Sequence, residues 1–136
     1  MNTSQYTAGF WTIIDGRTKE YNLSPKASDL ILVIGGTVHI TNQTGGFVRL
    51  AGTTTAIAIG QRGGFLESID TALIESHEQV GGHVQAFGNS ILRSYLQSAG
   101  VCRAYGENTS FYAVSGRTGG VCEHVNFLST VDIQGE

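Results

Sequence analysis

The feature that most constrains this chain is a short segment that recurs at a fixed interval. GGFVRLAG at residues 45–52 returns as GGFLESID, GGHVQAFG and AGVCRAYG, each eighteen residues after the previous one. A fifth version, GGVCEHVN at residues 119–126, follows after twenty residues. Regular recurrence of this kind indicates a repeat architecture, in which each unit buries its apolar side against its neighbours.

Each repeat is predicted to contain at least two strands. The recurring segment alternates apolar and polar residues with a period of two, and a pair of small residues precedes it, usually Gly-Gly. A second apolar position lies between these segments at Ile57, Ile74, Leu92 and Phe111, inside TAIAIG, TALIES, SILRSY and SFYAVS. The 19 glycines and the period-two alternation disfavour helix.

These spacings predict an all-β fold, a β-solenoid of about five 18-residue coils, in which each coil hydrogen-bonds to the next at about 4.8 Å. The expected divisions are an N-terminal cap or arm over residues 1–28, solenoid repeats over 29–127 and a C-terminal tail over 128–136. An antiparallel β-sandwich or jelly roll is the alternative, since short strands with glycine turns also describe it. The predicted core ladder consists of Val48, Leu66, Val84, Cys102 and Cys122.

Composition and charge narrow the classes of partner. The net charge is −3 and the eight Lys and Arg residues are scattered, which argues against nucleic-acid binding and against attachment to an anionic membrane. The first residues lack a positively charged segment followed by a long apolar run, and we therefore expect the protein to be cytoplasmic at synthesis.

The pattern V-x-A-x-G in HVQAFG, with VCRAYG and FYAVSG close to it, resembles the short β-solenoid repeats of phage and bacterial proteins. The coil length is similar to that of bactofilins, the bacterial filament-forming β-helices. The resemblance covers roughly residues 29–127, and it implies a scaffold with no catalytic residues to transfer.

The outward positions beside the core ladder are unusually apolar. Between them runs a polar series in which Arg49 and Glu67, and again Arg103 and Glu123, are expected to pair between neighbouring coils. A contiguous apolar surface of this kind marks a contact. We expect either an interface with another chain or coverage by the N-terminal segment around Phe10 and Trp11. The predicted interface residues are Phe47, Phe65, His83, Val101, Val121, Ile69, Phe87, Tyr105 and Val125.

Other chemistry receives less support from the sequence. Cys102 and Cys122 stand at equivalent positions on adjacent coils, within disulfide range, but two small apolar core residues are the simpler interpretation. The four histidines, His39, His77, His83 and His124, lack the spacing of metal ligands. The carboxylates Glu67, Asp70, Glu75 and Glu78 cluster in the sequence as acid and base groups of a glycan-active enzyme would. No cofactor, metal or catalytic residue is predicted.

The sequence therefore predicts a non-enzymatic structural protein that self-assembles. Its expected role is that of a phage virion accessory, in capsid decoration or in a tail, with other virion proteins as further partners. A bactofilin-like cytoskeletal filament protein is the alternative, and a glycan-active or acyltransferase-like solenoid enzyme is a distant one.

Overall fold

The computed structural model describes residues 5–8, 10–17, 20–106, 108–125 and 130–132. Within these residues the structure is all β, without helix. The strands are β1 (Gln5–Ala8), β2 (Trp11–Asp15), β3 (Tyr21–Leu23), β4 (Leu30–Thr41), β5 (Phe47–Ile59), β6 (Phe65–Ser68), β7 (Leu73–His77), β8 (Val80–Ala86), β9 (Ile91–Tyr95), β10 (Ala99–Tyr105), β11 (Ser110–Ser115), β12 (Val121–Val125) and β13 (Thr130–Asp132).

The strands wind into six coils, each with two strand segments. The coils are β2 with β3, then β4 and β5, which each run through both halves of a coil, then β6 with β7, β8 with β9, and β10 with β11. Strand β12 opens a further turn. The first face of the solenoid comprises β2, β6, β8, β10, β12 and the first halves of β4 and β5; the second face comprises β3, β7, β9, β11 and the second halves of β4 and β5.

Consecutive coils pair in parallel and in register. On the first face Phe47 pairs with Phe65, and Phe65 pairs with His83. Further along, Val101 pairs with Val121. The predicted β-solenoid is therefore confirmed. Among the described strands the antiparallel pairs are β1 with β2 and β12 with β13, both at the ends of the first face, and this arrangement excludes the sandwich alternative.

The N-terminal segment contributes a coil, where the sequence suggested a cap or arm over 1–28. Strand β2 pairs in parallel with the start of β4, and β3 pairs with its second half. The repeat is hidden because its spacing changes here: Thr12 pairs with Ile31, nineteen residues on, and Leu30 pairs with Phe47, seventeen residues on. A capping element is present before this coil, as the antiparallel strand β1.

The C-terminal tail also returns to the solenoid. Within the predicted tail 128–136, residues 130–132 form β13, which pairs antiparallel with β12, so that Val131 lies opposite His124. The rest of the predicted tail, and Asn126 and Phe127 before it, lie outside the described residues.

The core lies between the two faces and is only a few side chains wide. All five residues of the predicted core ladder are fully buried: Val48, Leu66, Val84, Cys102 and Cys122. On the second face the prediction at Ile57 is wrong by one residue, since Ala56 is the position that pairs with Ile74. Ile57 lies on the outer side, where it pairs with Glu75. A one-residue shift along a strand moves a side chain to the opposite face.

Candidate functional site

The outer surface of the first face carries three parallel columns of side chains, one residue per coil. The Phe65 column is Phe47, Phe65, His83, Val101 and Val121. The central column is Arg49, Glu67, Gln85, Arg103 and Glu123. The Phe87 column is Ala51, Ile69, Phe87, Tyr105 and Val125. All nine predicted interface residues thus lie together on one surface; Phe65 is 37 % exposed, and the others are half-buried.

The aromatic rings of this surface stack on one another along the solenoid axis. The ring centroids of Phe65 and His83 lie 4.8 Å apart with planes 9° from parallel, and those of Phe87 and Tyr105 lie 4.7 Å apart. Because the ring faces contact neighbouring rings, the edges point outward. Stacking of a sugar or a base on these rings would need their faces. The geometry suits packing against apolar side chains better than platform binding of a planar ligand.

The central column forms the ion pairs expected from its alternating charges. The distance from Arg49 Nη2 to Glu67 Oε1 is 3.2 Å, and that from Arg103 Nε to Glu123 Oε1 is 2.8 Å. The hydrogen bond to Glu123 raises the pKa of Arg103. Glu67 is largely buried and the other three side chains are partly exposed. Partly exposed ion pairs each stabilise a fold by less than about 1 kcal/mol. Their main effect is to fix an order of charges along the face.

A shallow cavity of about 320 Å³ lies at the N-terminal end of the first face. Trp11, Ile13, Leu32 and Arg49 line it. Ile13 and Leu32 continue the line of the central column toward β2, since Ile13 pairs with Leu32 and Leu32 pairs with Arg49. The polar centre of the face therefore becomes apolar at this end.

A ladder of four buried glutamines, which the sequence analysis missed, runs along the corner between the second face and the next coil. Its members are Gln43, Gln61, Gln79 and Gln97, each 1 % exposed or less. Each amide nitrogen after the first donates to the amide oxygen of the preceding glutamine, at 3.2, 2.9 and 3.0 Å. Each nitrogen also donates to a backbone carbonyl of the following coil, as Gln79 does to Val101 at 3.2 Å. Glutamine ladders of this type fix the register of parallel in-register strands.

The glutamine ladder has a sequence signal. Each glutamine stands three residues before the second small residue of the corner, in QTGG, QRGG, QVGG and QSAG, at intervals of eighteen. The motif then ends, because Arg117 occupies the equivalent position in RTGG. The repeated polar residue is the mark of a buried polar ladder.

The two cysteines extend the same hydrogen-bond network. Cys102 and Cys122 are both thiols and pair in register on β10 and β12. The Cys102 Sγ donates to Gln79 Oε1 at 3.0 Å, and the Cys122 Sγ donates to Gln97 Oε1 at 2.9 Å. The contact with Cys122 and burial raise the pKa of the Cys102 thiol well above its usual value. These thiols complete a structural network and are poor nucleophiles.

Labelling of the cysteines should therefore require unfolding. We expect a disulfide reagent at pH 8 to modify Cys102 and Cys122 at least about 1,000-fold more slowly in the native protein than in denaturant, because the thiolate forms only on opening of the core. Thiol release measured by absorbance, with mass spectrometry, tests this. The matched control is a Thr53→Cys variant, whose exposed corner position should react at once. Rapid native labelling of the wild type would show that this part of the core is open.

The four histidines lie on separate coils. They are His39 in β4, His77 in β7, His83 in β8 and His124 in β12. The ring of His77 stacks on Tyr95, and its Nε2 lies 3.4 Å from Glu75 Oε1. The Nε2 of His124 lies 2.6 Å from the Gly106 carbonyl oxygen. Across the described residues, no group of three or more His, Cys, Asp or Glu side chains is placed to hold a metal ion.

The carboxylates that are close in sequence are distributed around the coil. They are Glu67 on the first face, Asp70 at the corner after it, Glu75 on the second face and Glu78 in the next turn. Three of these carboxylates have structural partners. Glu67 forms an ion pair with Arg49, and Glu75 forms one with Arg93 at 3.1 Å. Asp70 accepts a hydrogen bond from the Gly52 backbone. The arrangement does not place two of these carboxylates on either side of one groove, as a glycan-cleaving pair requires.

The fold places the chain in the class of β-solenoid repeat proteins. Comparisons with protein-family models, with curated proteins and with solved structures gave no match. No helix in the described part of the chain is long and apolar enough to cross a bilayer.

Proposed function

We propose that the protein is a non-enzymatic structural protein that assembles with copies of itself through the first face. The observation that carries the proposal is the surface itself: two apolar columns flank a charged centre over five successive coils. An apolar patch with polar groups of fixed order is the usual composition of a protein contact. The proposed setting is a phage particle, in which the assembly decorates the capsid or forms part of a tail, as the style of the repeats suggests.

The use of polar side chains supports a structural role. The glutamines bond to one another and to backbone carbonyls, and the central column forms ion pairs along the face. The thiols donate into the glutamine ladder. Groups engaged in this way hold coils together and have little capacity left for binding a substrate.

The ends of the first face favour lateral contact over end-to-end stacking. Both ends carry a strand that runs antiparallel to the coil beneath it, β1 at one end and β13 at the other. A further parallel coil from another molecule cannot continue the register of the first face across such a strand. The broad side of the solenoid is then the larger surface available for assembly.

Sedimentation over a wide range of concentrations, with negative-stain imaging of the same sample, tests the proposal. We expect closed oligomers, with dimers as the smallest, whose population rises with concentration. Binding of the purified protein to phage particles would support the virion role. A monodisperse monomer at every concentration, with no binding to particles, would contradict the proposal.

A filament-forming role is the second candidate, because the second face ends differently. Among the described strands, β3 pairs only with β4 and β11 pairs only with β9, so that each presents an outer edge. Edges of this kind recruit strands of other chains. Open filaments in the micrographs, which lengthen with concentration, would favour this role; their absence across salt and concentration would exclude it.

A further inference from the structure

The charges of the central column are arranged antisymmetrically about its middle residue. In coil order the column is positive at Arg49, negative at Glu67, neutral at Gln85, positive at Arg103 and negative at Glu123. The residues one coil to either side of Gln85, Glu67 and Arg103, carry opposite charges. The residues two coils to either side, Arg49 and Glu123, also carry opposite charges. A column with this order is complementary to its own reversed copy.

The Phe65 column shows the same relation in side-chain size. Counted from His83, the large residues Phe65 and Phe47 lie on one side, and the small residues Val101 and Val121 lie at the same distances on the other. Reversal therefore sets each large side chain opposite a small one. Interfaces pack well when bulky and small residues alternate across them.

The Phe87 column also accepts reversal. Counted from Phe87, Ile69 lies one coil to one side and Tyr105 one coil to the other, while Ala51 and Val125 lie two coils away. Reversal sets Ile69 opposite Tyr105 and the small Ala51 opposite Val125. All three columns have the same central coil, so that one operation relates them.

We infer that the occupant of the first face is a second copy of this chain, docked with its solenoid axis reversed. The inference rests on the proposed self-assembly and specifies its geometry. The two-fold axis runs parallel to the strands and passes between the Gln85 residues of the two copies. Glu67 then faces Arg103 of the second copy, and Arg49 faces Glu123 of the second copy.

The ion pairs within each chain are kept in this dimer, and they lie next to the new ion pairs between the two chains. The ion pair of Arg49 and Glu67 faces the ion pair of Arg103 and Glu123 of the second copy. Four charges then alternate in sign around a square, and the two-fold axis generates a second such group. The match holds because both copies repeat at the same coil spacing of about 4.8 Å.

The parallel arrangement of the same two faces is disfavoured by the same charges. With the axes parallel and the coils level, every charged residue of the central column faces its own copy. Like charges placed opposite each other across an interface are strongly unfavourable, and such contacts select against wrong arrangements. The order of charges thus specifies orientation.

Charge exchange within an ion pair provides the test, because it keeps the contact inside the chain and changes only the order along the face. One variant combines Arg49→Glu with Glu67→Arg, and the other combines Arg103→Glu with Glu123→Arg. Each variant alone sets like charges opposite each other in the reversed dimer. We expect its dissociation constant for self-association, measured by sedimentation, to weaken at least 100-fold, with circular dichroism and melting temperature close to those of wild type.

Two further samples distinguish this geometry from any general loss of association. An equimolar mixture of the two variants restores opposite charges at every contact, and we expect a heterodimer with near wild-type affinity. The quadruple variant, with both exchanges in one chain, should dimerise with itself again. The matched control exchanges the ion pair of the second face, Glu75→Arg with Arg93→Glu, and should leave association unchanged.

The outcomes separate this inference from the proposed function. If wild type associates but both exchange variants associate equally well, the reversed pairing is wrong and self-assembly stands. If the variants are monomeric and the mixture stays monomeric, the reversed geometry is also wrong. If wild type is monomeric at every concentration, self-assembly fails and the inference fails with it. Should one exchange prevent folding, the other decides the matter alone: loss of its association, with association unchanged in the second-face control, supports the reversed geometry, and unchanged association overturns it.

Discussion

Replacement of Gln79 by leucine is expected to destabilise the protein by about 4 kcal/mol, although leucine is apolar and similar in size. The Gln79 amide nitrogen donates to Gln61 Oε1 at 2.9 Å and to the Val101 carbonyl oxygen at 3.2 Å. Its oxygen accepts from the Gln97 amide at 3.0 Å and from the Cys102 thiol. Leucine would remove one hydrogen-bond partner from each of these buried groups, and a buried polar group that is left unpaired costs roughly 1–3 kcal/mol.

Urea denaturation followed by circular dichroism measures this loss of stability, and two matched variants serve as comparisons. Gln85→Leu, on the outer side of the first face, should change the free energy of unfolding by less than about 1 kcal/mol. Gln43→Leu, at the first position of the ladder, should cost less than Gln79→Leu, because Gln43 bonds to one other glutamine whereas Gln79 bonds to two. Equal costs for Gln79 and Gln85 would show that the ladder does not stabilise the fold.

The fold could be predicted because the sequence repeat includes the positions that form the core. The core ladder from Val48 to Cys122 recurs every eighteen or twenty residues, since parallel strands in register require equivalent residues at equivalent points of each coil. The opposite charges of Arg49 and Glu67 could be matched in the same way. Residues that stack on their own equivalents leave a periodic record in the sequence.

The second face was harder to predict because its inward residues differ in type from coil to coil. The column that contains Ala56, Ile74 and Leu92 begins with an alanine, and the bulkier Ile57 beside it has the stronger apolar signal. Volume is shared across a thin core, so that an alanine in one coil is compatible with a larger residue elsewhere. Prediction from apolar character alone therefore placed this strand of the second face one residue out of register.

The glutamine ladder was missed because burial is not expected of glutamine. Its side chain is inside only when a neighbour satisfies both its nitrogen and its oxygen, and in one coil taken alone no such neighbour exists. Stacking supplies the neighbour: Gln61 satisfies Gln43 on one side and Gln79 satisfies Gln61 on the other. The ladder forms only when several coils stack, and its sequence signal is the eighteen-residue spacing of the glutamines.

One corner of the coil has almost no recognisable sequence pattern, because the residue type at this corner varies from coil to coil. The residue before each ladder glutamine, or before the equivalent Arg117, has a left-handed backbone; these residues are Asn42, Gly60, Glu78, Leu96 and Gly116. Leu96 has φ of 59° and is 56 % exposed. A bulky residue in this conformation is uncommon, and the stacked corners above and below impose it. The corner before the first face, in contrast, is marked by its glycines.

Those glycines lead to a prediction that separates backbone conformation from close approach between coils. Gly64 and Gly52 have nearly the same backbone, with φ of +77° and +72°. A Cβ atom at Gly64 would lie 2.6 Å from the Gly45 carbonyl group of the preceding coil, whereas a Cβ at Gly52 would meet nothing within 4 Å. Alanine at Gly52 should therefore cost only the left-handed conformation, about 1 kcal/mol.

Gly64→Ala should cost the same conformational energy and also force two coils apart, for a total of at least about 3 kcal/mol. The coils cannot separate locally without stretching the hydrogen bond from the Phe65 backbone to the Gly46 carbonyl oxygen, and the Gln43 amide lies 2.8 Å from the same Cβ position. Urea denaturation of the two alanine variants side by side measures the difference. A difference below about 0.5 kcal/mol would mean that the coils yield easily at this corner, and that the glycine pair serves the turn alone rather than the close stacking of coils.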